Sequence, residues 1–443
     1  MNDSSSERLY RKARKLIPGG TQLLSKRPEM YLPEQWPNYY SRAEGAEIWD
    51  LDGRRYLDLS NNGVGSCPLG YADPDVNAAV KASIDAGSMT TLNCPEDVAL
   101  AELLCELHPW AEMVRYARTG GEGMAVAVRI ARAKTGRSRV AFCGYHGWSD
   151  WYLAANLSES DSLGTKGLLL PGLQPSGVPN ELVGTAYGFR HNRADELKEL
   201  VTRHRGEFAA IICEAQRGDK PAPGFLEDVR EIATSIGAVL IFDEITSAMR
   251  LNTGGVHLRY GVNPDVAVFA KGIGNGFPIA AIIGTADAME AAQNTFISST
   301  YWTERIGPTA ALATIVKHRR VDAADRLIAA GRRVQAIWTD ASLSAGLHTH
   351  VGPLDMPPLS HIAYDYPNAR AIQTLHCQMM LDRGFLDNTG FYATLAHTDT
   401  ILDTYAAAVS EVFPALAKAV SDNHVEKLLR GPVGHSGFAR LTS

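Results

Sequence analysis

No stretch of this chain stays apolar for the roughly 20 residues that a membrane-crossing helix needs. The first fourteen residues are polar and charged, so no secretory leader is expected there either. There is no block of basic residues, and the net charge is −6, which argues against nucleic acid as the principal partner. Six cysteines (67, 94, 105, 143, 213 and 377) stand apart, without the close pairs of a metal site or a disulfide framework. Reduced thiols in a cytoplasmic protein are the expectation. No internal repeat and no low-complexity segment is present.

What remains is 443 residues of ordinary globular composition, 45% hydrophobic and 21% charged, enough for more than one domain. Serines capping a run with Leu9, Ala13 and Leu16 predict a first helix over 4–16, ended by Pro18-Gly19-Gly20. Residues 47–50 and 55–58 flank Leu51-Asp52-Gly53 as a hairpin. Its Asp-x-Asp-Gly lacks the later ligands of a calcium loop, so a turn is preferred. A glycine-rich loop over 60–70 and helices near 74–86 and 95–107 follow, then a strand at 114–117. Glu122 is expected to open a helix to about Lys134, and a strand at 140–142 leads to Gly144-Tyr145-His146-Gly147-Trp148. Residues 156–192 read as a loop-rich cover over part of a site. Buried strands are expected at 209–213, 238–242, 266–270 and 277–283, with a helix over 226–236. Helices over 307–317 and 323–343 lead to an α+β region with strands at 360–364 and 391–394 and helices at 370–383 and 399–423.

Two of these strands end on charge. Ala238-Val239-Leu240-Ile241-Phe242 stops at Asp243-Glu244, and Val266-Ala267-Val268-Phe269-Ala270 stops at Lys271. Short continuous β-branched runs read as strands buried on both faces of a parallel α/β sheet. Residues just past the ends of such strands sit where open α/β sheets hold their ligands. A lysine and a carboxylate placed there serve one chemistry together. The amine forms a Schiff base with pyridoxal phosphate, and the carboxylate keeps the pyridine nitrogen protonated so that the ring can withdraw electrons from the substrate Cα. The glycines of Lys271-Gly272-Ile273-Gly274-Asn275-Gly276 resemble part of a dinucleotide fingerprint, but another apolar strand follows where that motif requires a helix. Thr119-Gly120-Gly121 lies between a strand and a helix, which suits a phosphate and equally a plain turn. Tyr145, at a strand end, could stack on a planar ring, and Glu214 ends the strand at 209–213. His348-x-His350 has no further ligand nearby in sequence, so no metal is expected.

With these motifs assembled, the chain resembles the class III aminotransferases of fold type I, and within them the branch of the glutamate-1-semialdehyde aminomutases. The resemblance runs from Ile17-Pro18-Gly19-Gly20 to Ala396-His397-Thr398-Asp399 and is strongest over 241–245 and 271–278. It implies a large domain with a mostly parallel central sheet (71–320), and a small α+β domain built from 1–70 and 321–443. It further implies pyridoxal phosphate as cofactor, with Lys271 and Asp243 as the lysine and carboxylate of the site. Tyr145 and Ile245 would pack on the two ring faces, beside His146 and Glu214. Gly120 and Gly121 would offer amides to the phosphate. Thr300 matches the threonine that reaches the phosphate of a neighbouring subunit, which implies a homodimer with shared sites.

Departures fall on the substrate side. Thr119-Gly120-Gly121-Glu122-Gly123 replaces the common Ser-Gly-Thr-Glu-Ala, and Lys26 and Arg27 stand nearest to the aminomutase arginine. Asn388-Thr389-Gly390 stands where the aminomutases carry a glutamate, and Tyr301-Trp302-Thr303-Glu304-Arg305 is bulkier than the usual turn. Lys26, Arg27, Trp302 and Arg305 are the candidate substrate contacts. The function implied is amino transfer from an amino acid donor to a keto or aldehyde acceptor, such as a keto sugar or a biosynthetic intermediate. Intramolecular aminomutation is the alternative; epimerisation, decarboxylation or a non-catalytic binding role stand behind it.

Overall fold

The computed structural model describes residues 4–157 and 173–435. The chain forms two compact units, one spanning Pro74–Ala324 and one made of the segments that end at Asp73 and begin at Asp325.

The larger unit is built on seven strands: β1 (Met113–Ala117), β2 (Arg139–Cys143), β3 (Ala186–Gly188), β4 (Phe208–Cys213), β5 (Val239–Asp243), β6 (Val266–Phe269) and β7 (Ala280–Gly284). Their order across the sheet is β1-β7-β6-β5-β4-β2-β3. The five strands from β6 to β3 run parallel, while β7 runs antiparallel to both β6 and β1. Every residue of β4 through β7 is buried, as their uninterrupted apolar sequences require. β5 lies at the centre, so Asp243 emerges at the middle of the sheet's C-terminal edge.

The helix Gly120–Thr135 starts two residues earlier than its sequence suggested. Thr119 and Glu122 form a reciprocal cap: Thr119 Oγ1 accepts from the Glu122 amide, and the Glu122 carboxylate accepts from the Thr119 amide at 2.9 Å. The two glycines therefore belong to the first helical turn and not to a loop before it. Farther in, Gly123 meets the sheet so closely that a Cβ there would stand 2.8 Å from Val268 Cγ1.

The segment expected as loop over 156–192 contains strand β3, which pairs with β2 at the sheet edge. Its apolar content is only three residues long, too short for a periodic signal. The part of that loop at 158–172 lies outside the described residues.

In the smaller unit, Ser4 caps the helix Ser5–Leu16 by accepting from the Glu7 amide. Strands Glu47–Asp50 and Arg55–Asp58 form the hairpin. One carboxylate oxygen of Asp50 accepts from the amides of Asp52 and Arg54, both at 2.9 Å, which is a turn-forming role. A two-residue strand, Phe385–Leu386, joins this sheet parallel to Arg55–Asp58 and ties the C-terminal segment to the N-terminal one. A separate three-stranded sheet comprises Thr349–Gly352, Leu359–Tyr364 and Gly390–Tyr392. Beneath it, Asp387 accepts from Tyr405 Oη at 2.6 Å and from His376 Nε2 at 3.0 Å, a buried polar group with its partners supplied.

Candidate active site

Asp243 is the last residue of β5 and is 3% exposed. Its Oδ1 accepts from the Ile245 amide at 3.0 Å, and its Oδ2 lies 2.8 Å from His146 Nδ1. His146, on the turn after β2, places Nε2 3.1 Å from the Cys143 carbonyl. A carbonyl only accepts, so Nε2 carries a hydrogen. The contact with Asp243 then holds one more hydrogen, on Nδ1 or on the carboxyl. The carboxylate is thereby oriented on both oxygens while it stays out of water.

Lys271 follows β6 with φ +47°, in the left-handed region that costs a residue with a side chain. Its Nζ donates to Thr246 Oγ1 at 2.7 Å. Burial pushes the amine down from 10.5 to about 8. The charge of Arg217 pushes the same way, Asp243 and Glu214 oppose it, and Arg250 adds a smaller push downward. A lysine in this state has a sizeable neutral fraction near neutral pH, as a nucleophilic amine requires.

Glu214, just past β4, is buried, and burial holds its carboxyl above the usual range. Arg217 Nη1 stands 3.6 Å from its Oε2, which also accepts from the Tyr145 amide at 3.4 Å. Gly144 allows this approach: it has φ +111°, and a Cβ there would meet Glu214 Oε2 at 2.6 Å. Tyr145 is half-buried and packs on the core of the larger unit with Ile245 and Trp302.

The amides of Gly120 and Gly121, at the first two positions of their helix, have no acceptor among the described residues. A Cβ at Gly120 would come 2.8 Å from Ile245 Cδ1, and one at Gly121 would come 3.0 Å from Trp148 Nε1. These glycines keep a helix N-terminus open beside Ile245, where a phosphate would be met by free amides and the positive end of the helix.

Helix start, lysine, oriented carboxylate and aromatic thus all belong to the larger unit and fit pyridoxal phosphate by their donor chemistry. The class-III aminotransferase family model matches residues 32–341. The chain belongs to the class-III aminotransferases. Its cofactor is accordingly pyridoxal phosphate.

Among relatives of this aminotransferase, the 3-aminobutyryl-CoA aminotransferase of Cloacimonas acidaminovorans (strain Evry) is 32% identical over 336 residues, which cover 74% of this chain and 76% of that one. The glutamate-1-semialdehyde 2,1-aminomutase of Heliobacterium modesticaldum (strain ATCC 51547 / Ice1) is 33% identical over 441 residues, covering 93% and 97%. The crystal structure of an omega-transaminase from Sphaerobacter thermophilus superposes with a TM-score of 0.80 at 27% identity, covering 94% of this chain and 98% of that one.

The remaining candidates are placed differently. Thr300 is exposed and begins the turn Thr300–Thr303. Trp302 on that turn is partly buried. Arg305 is engaged: its Nε and Nη2 donate to the two carboxylate oxygens of Glu96 at 2.9 and 2.6 Å. That bidentate pair joins the guanidinium fork to a carboxylate of this chain. Lys26 and Arg27 belong to the smaller unit, where Lys26 ends the turn Leu24–Lys26 and the Arg27 guanidinium packs on Gly19. Among the described residues, no group of three or more His, Cys, Asp or Glu could hold a metal ion.

Thr246, Arg217 and Arg250 escaped sequence reasoning. Arg250 is 1% exposed, and its Nε donates to the Thr246 carbonyl at 3.3 Å. The one available signal was position, since Thr246 and Arg217 each lie three residues beyond a strand-end acid, Asp243 or Glu214.

Proposed function

We propose that this class-III aminotransferase moves an amino group from an amino acid to a keto or aldehyde acceptor, with Lys271 as the residue that would hold the cofactor covalently. The observation that carries this reading is the enclosed Lys271 amine, depressed to about 8, on the same sheet edge as the doubly oriented Asp243. When bound, pyridoxal phosphate withdraws the electron pair released at the substrate Cα and carries the amino group between donor and acceptor. Lys271 Nζ, in its neutral form, accepts the proton that leaves the substrate Cα and can return it on the other side of the transfer. Asp243 supplies negative charge for the ring nitrogen, and His146 fixes the orientation of that carboxylate. Gly120 and Gly121 would bind the phosphate through their amides, and Tyr145 and Ile245 would line the ring. Glu214, with Arg217 beside it, bounds the site on the β4 side. Trp302, Lys26 and Arg27 stay in the proposal as substrate contacts. We also place the enzyme in the cytoplasm as a homodimer in which Thr300 completes the partner's phosphate site; among the described residues, no helix is long and apolar enough to cross a membrane.

The test is the absorbance of the purified protein loaded with pyridoxal phosphate, titrated with single amino donors. Bleaching that reverses only when a carbonyl acceptor is added supports amino transfer and identifies the donor. Intramolecular aminomutation is the second reading, favoured by the near full-length match to the Heliobacterium aminomutase. Colour that returns without any acceptor would select it. A protein that never takes up the cofactor's colour would overturn both.

A further inference from the structure

One contact of Lys271 has no part in the roles above. Thr246 lies three residues past Asp243, is 6% exposed, and receives the hydrogen bond from Lys271 Nζ at 2.7 Å. The approach is constrained from both sides. The left-handed backbone of Lys271 aims its side chain, and the β-branched Thr246 has few side-chain rotamers available. The Thr246 carbonyl is in turn bonded by Arg250 Nε at 3.3 Å. The charges around the amine are Arg217 and Arg250 on one side of the balance and Asp243 and Glu214 on the other. The direct partner is none of these. It is a neutral hydroxyl. A carboxylate at that point would hold the lysine as a charged ammonium, whereas a hydroxyl fixes its position without adding an opposing charge.

We propose that Thr246 is a positioning residue of the transfer: its hydroxyl holds the Lys271 amine at one point beside the Asp243 strand while leaving it free to lose and regain a proton. The inference rests on reading Lys271 as the proton-moving amine. In the step it serves, the substrate C–H bond breaks and an N–H bond forms on Nζ, and the electron pair of the broken bond stays with the substrate carbon. The amine becomes an ammonium with three hydrogens, one of which points at Thr246 Oγ1.

The test compares Thr246→Val, which removes the hydroxyl at nearly constant shape, with Thr246→Ser, which retains it. Two quantities are measured. The first is the single-turnover rate of the donor half-reaction in the loaded enzyme. The second is the pH midpoint at which Lys271 of the cofactor-free protein reacts with trinitrobenzenesulfonate, read by peptide mass spectrometry. Thr246→Val is expected to slow the single turnover about 10- to 100-fold with the donor KM changed by less than about threefold. Its labelling midpoint should fall below that of the unaltered protein, because a hydrogen bond to the charged form is lost. Thr246→Ser should stay within about threefold of the unaltered rate. An unaltered rate and midpoint in Thr246→Val would overturn the proposal. So would a Thr246→Ser loss as large as that of Thr246→Val, since packing and not the hydroxyl would then be responsible. Both variants should still take up the colour of pyridoxal phosphate. Failure of the unaltered protein to do so would instead overturn the functional reading itself.

Discussion

His146 joins two strands that are not neighbours. Its Nε2 meets the carbonyl of Cys143 on β2 at 3.1 Å and its Nδ1 meets Asp243 on β5 at 2.8 Å, with β4 running between them. The ring is 1% exposed, so both contacts are made without competition from water.

Removing this bridge should separate catalysis from folding. His146→Leu leaves Asp243 Oδ2 buried without its hydrogen-bond partner, with an expected cost of about 1–3 kcal/mol in stability and a matching fall in melting temperature. Asp243→Asn keeps the shape but removes the charge, and turnover should drop by about 100-fold or more. Turnover near that of the unaltered enzyme in Asp243→Asn would show that another carboxylate serves the ring nitrogen.

The depressed Lys271 amine gives a signed pH dependence. In the unfolded chain the amine keeps its proton up to about 10.5, whereas in the folded protein it releases it near 8. Between those values the unfolded state binds more protons, so stability of the cofactor-free protein should rise with pH across that window. Lys271→Met should remove this part of the slope in urea unfolding followed at pH values from 8 to 10.5. In the cofactor-free protein with Lys271 intact, the rate of pyridoxal phosphate capture should climb through about pH 8 and then level off.

Two glycines of one helix should behave differently when changed to alanine. At Gly123 the new Cβ meets Val268 Cγ1 at 2.8 Å and Ala280 Cβ at 3.5 Å, both on buried strands. Gly123→Ala is therefore expected to cost about 1–3 kcal/mol of stability. At Gly120 the contacts are all with the Ile245 side chain, Cδ1 at 2.8 Å and Cγ2 at 3.1 Å, so Gly120→Ala should cost less thermal stability than Gly123→Ala. Its cost should instead fall on cofactor affinity, about tenfold in Kd by cofactor titration.

Shared sites can be tested by complementation. Lys271→Ala and Thr300→Ala are each expected to be impaired alone. Mixed dimers would contain one site with both residues intact and random pairing makes half of the dimers mixed, so mixing equal amounts and refolding should restore activity toward about a quarter of the unaltered level. No recovery in demonstrably mixed dimers would assign Thr300 a role within its own subunit or none.

The working ends of the central strands were legible because buried parallel strands have an unmistakable local pattern: a short apolar run that stops on charge, as at Asp243 and Lys271. Asp50 and its turn were legible for a similar reason, since the contacts that form the turn lie within four residues. Strand β3 and the strand Phe385–Leu386 were not, because three and two residues carry no periodicity. The pairing of Arg305 was hidden for a different reason. A free cation and one already paired look identical in sequence, and its partner Glu96 lies 209 residues away.

By itself, then, the sequence determined which residues end the buried strands, because that property depends on neighbours along the chain. The tertiary structure alone decided the state of each group: Lys271 against a hydroxyl 25 residues away, and Asp243 against a histidine 97 residues away. Burial, hydrogen bonding and the distances to other charges set those states, and all three are quantities of space, not of sequence separation.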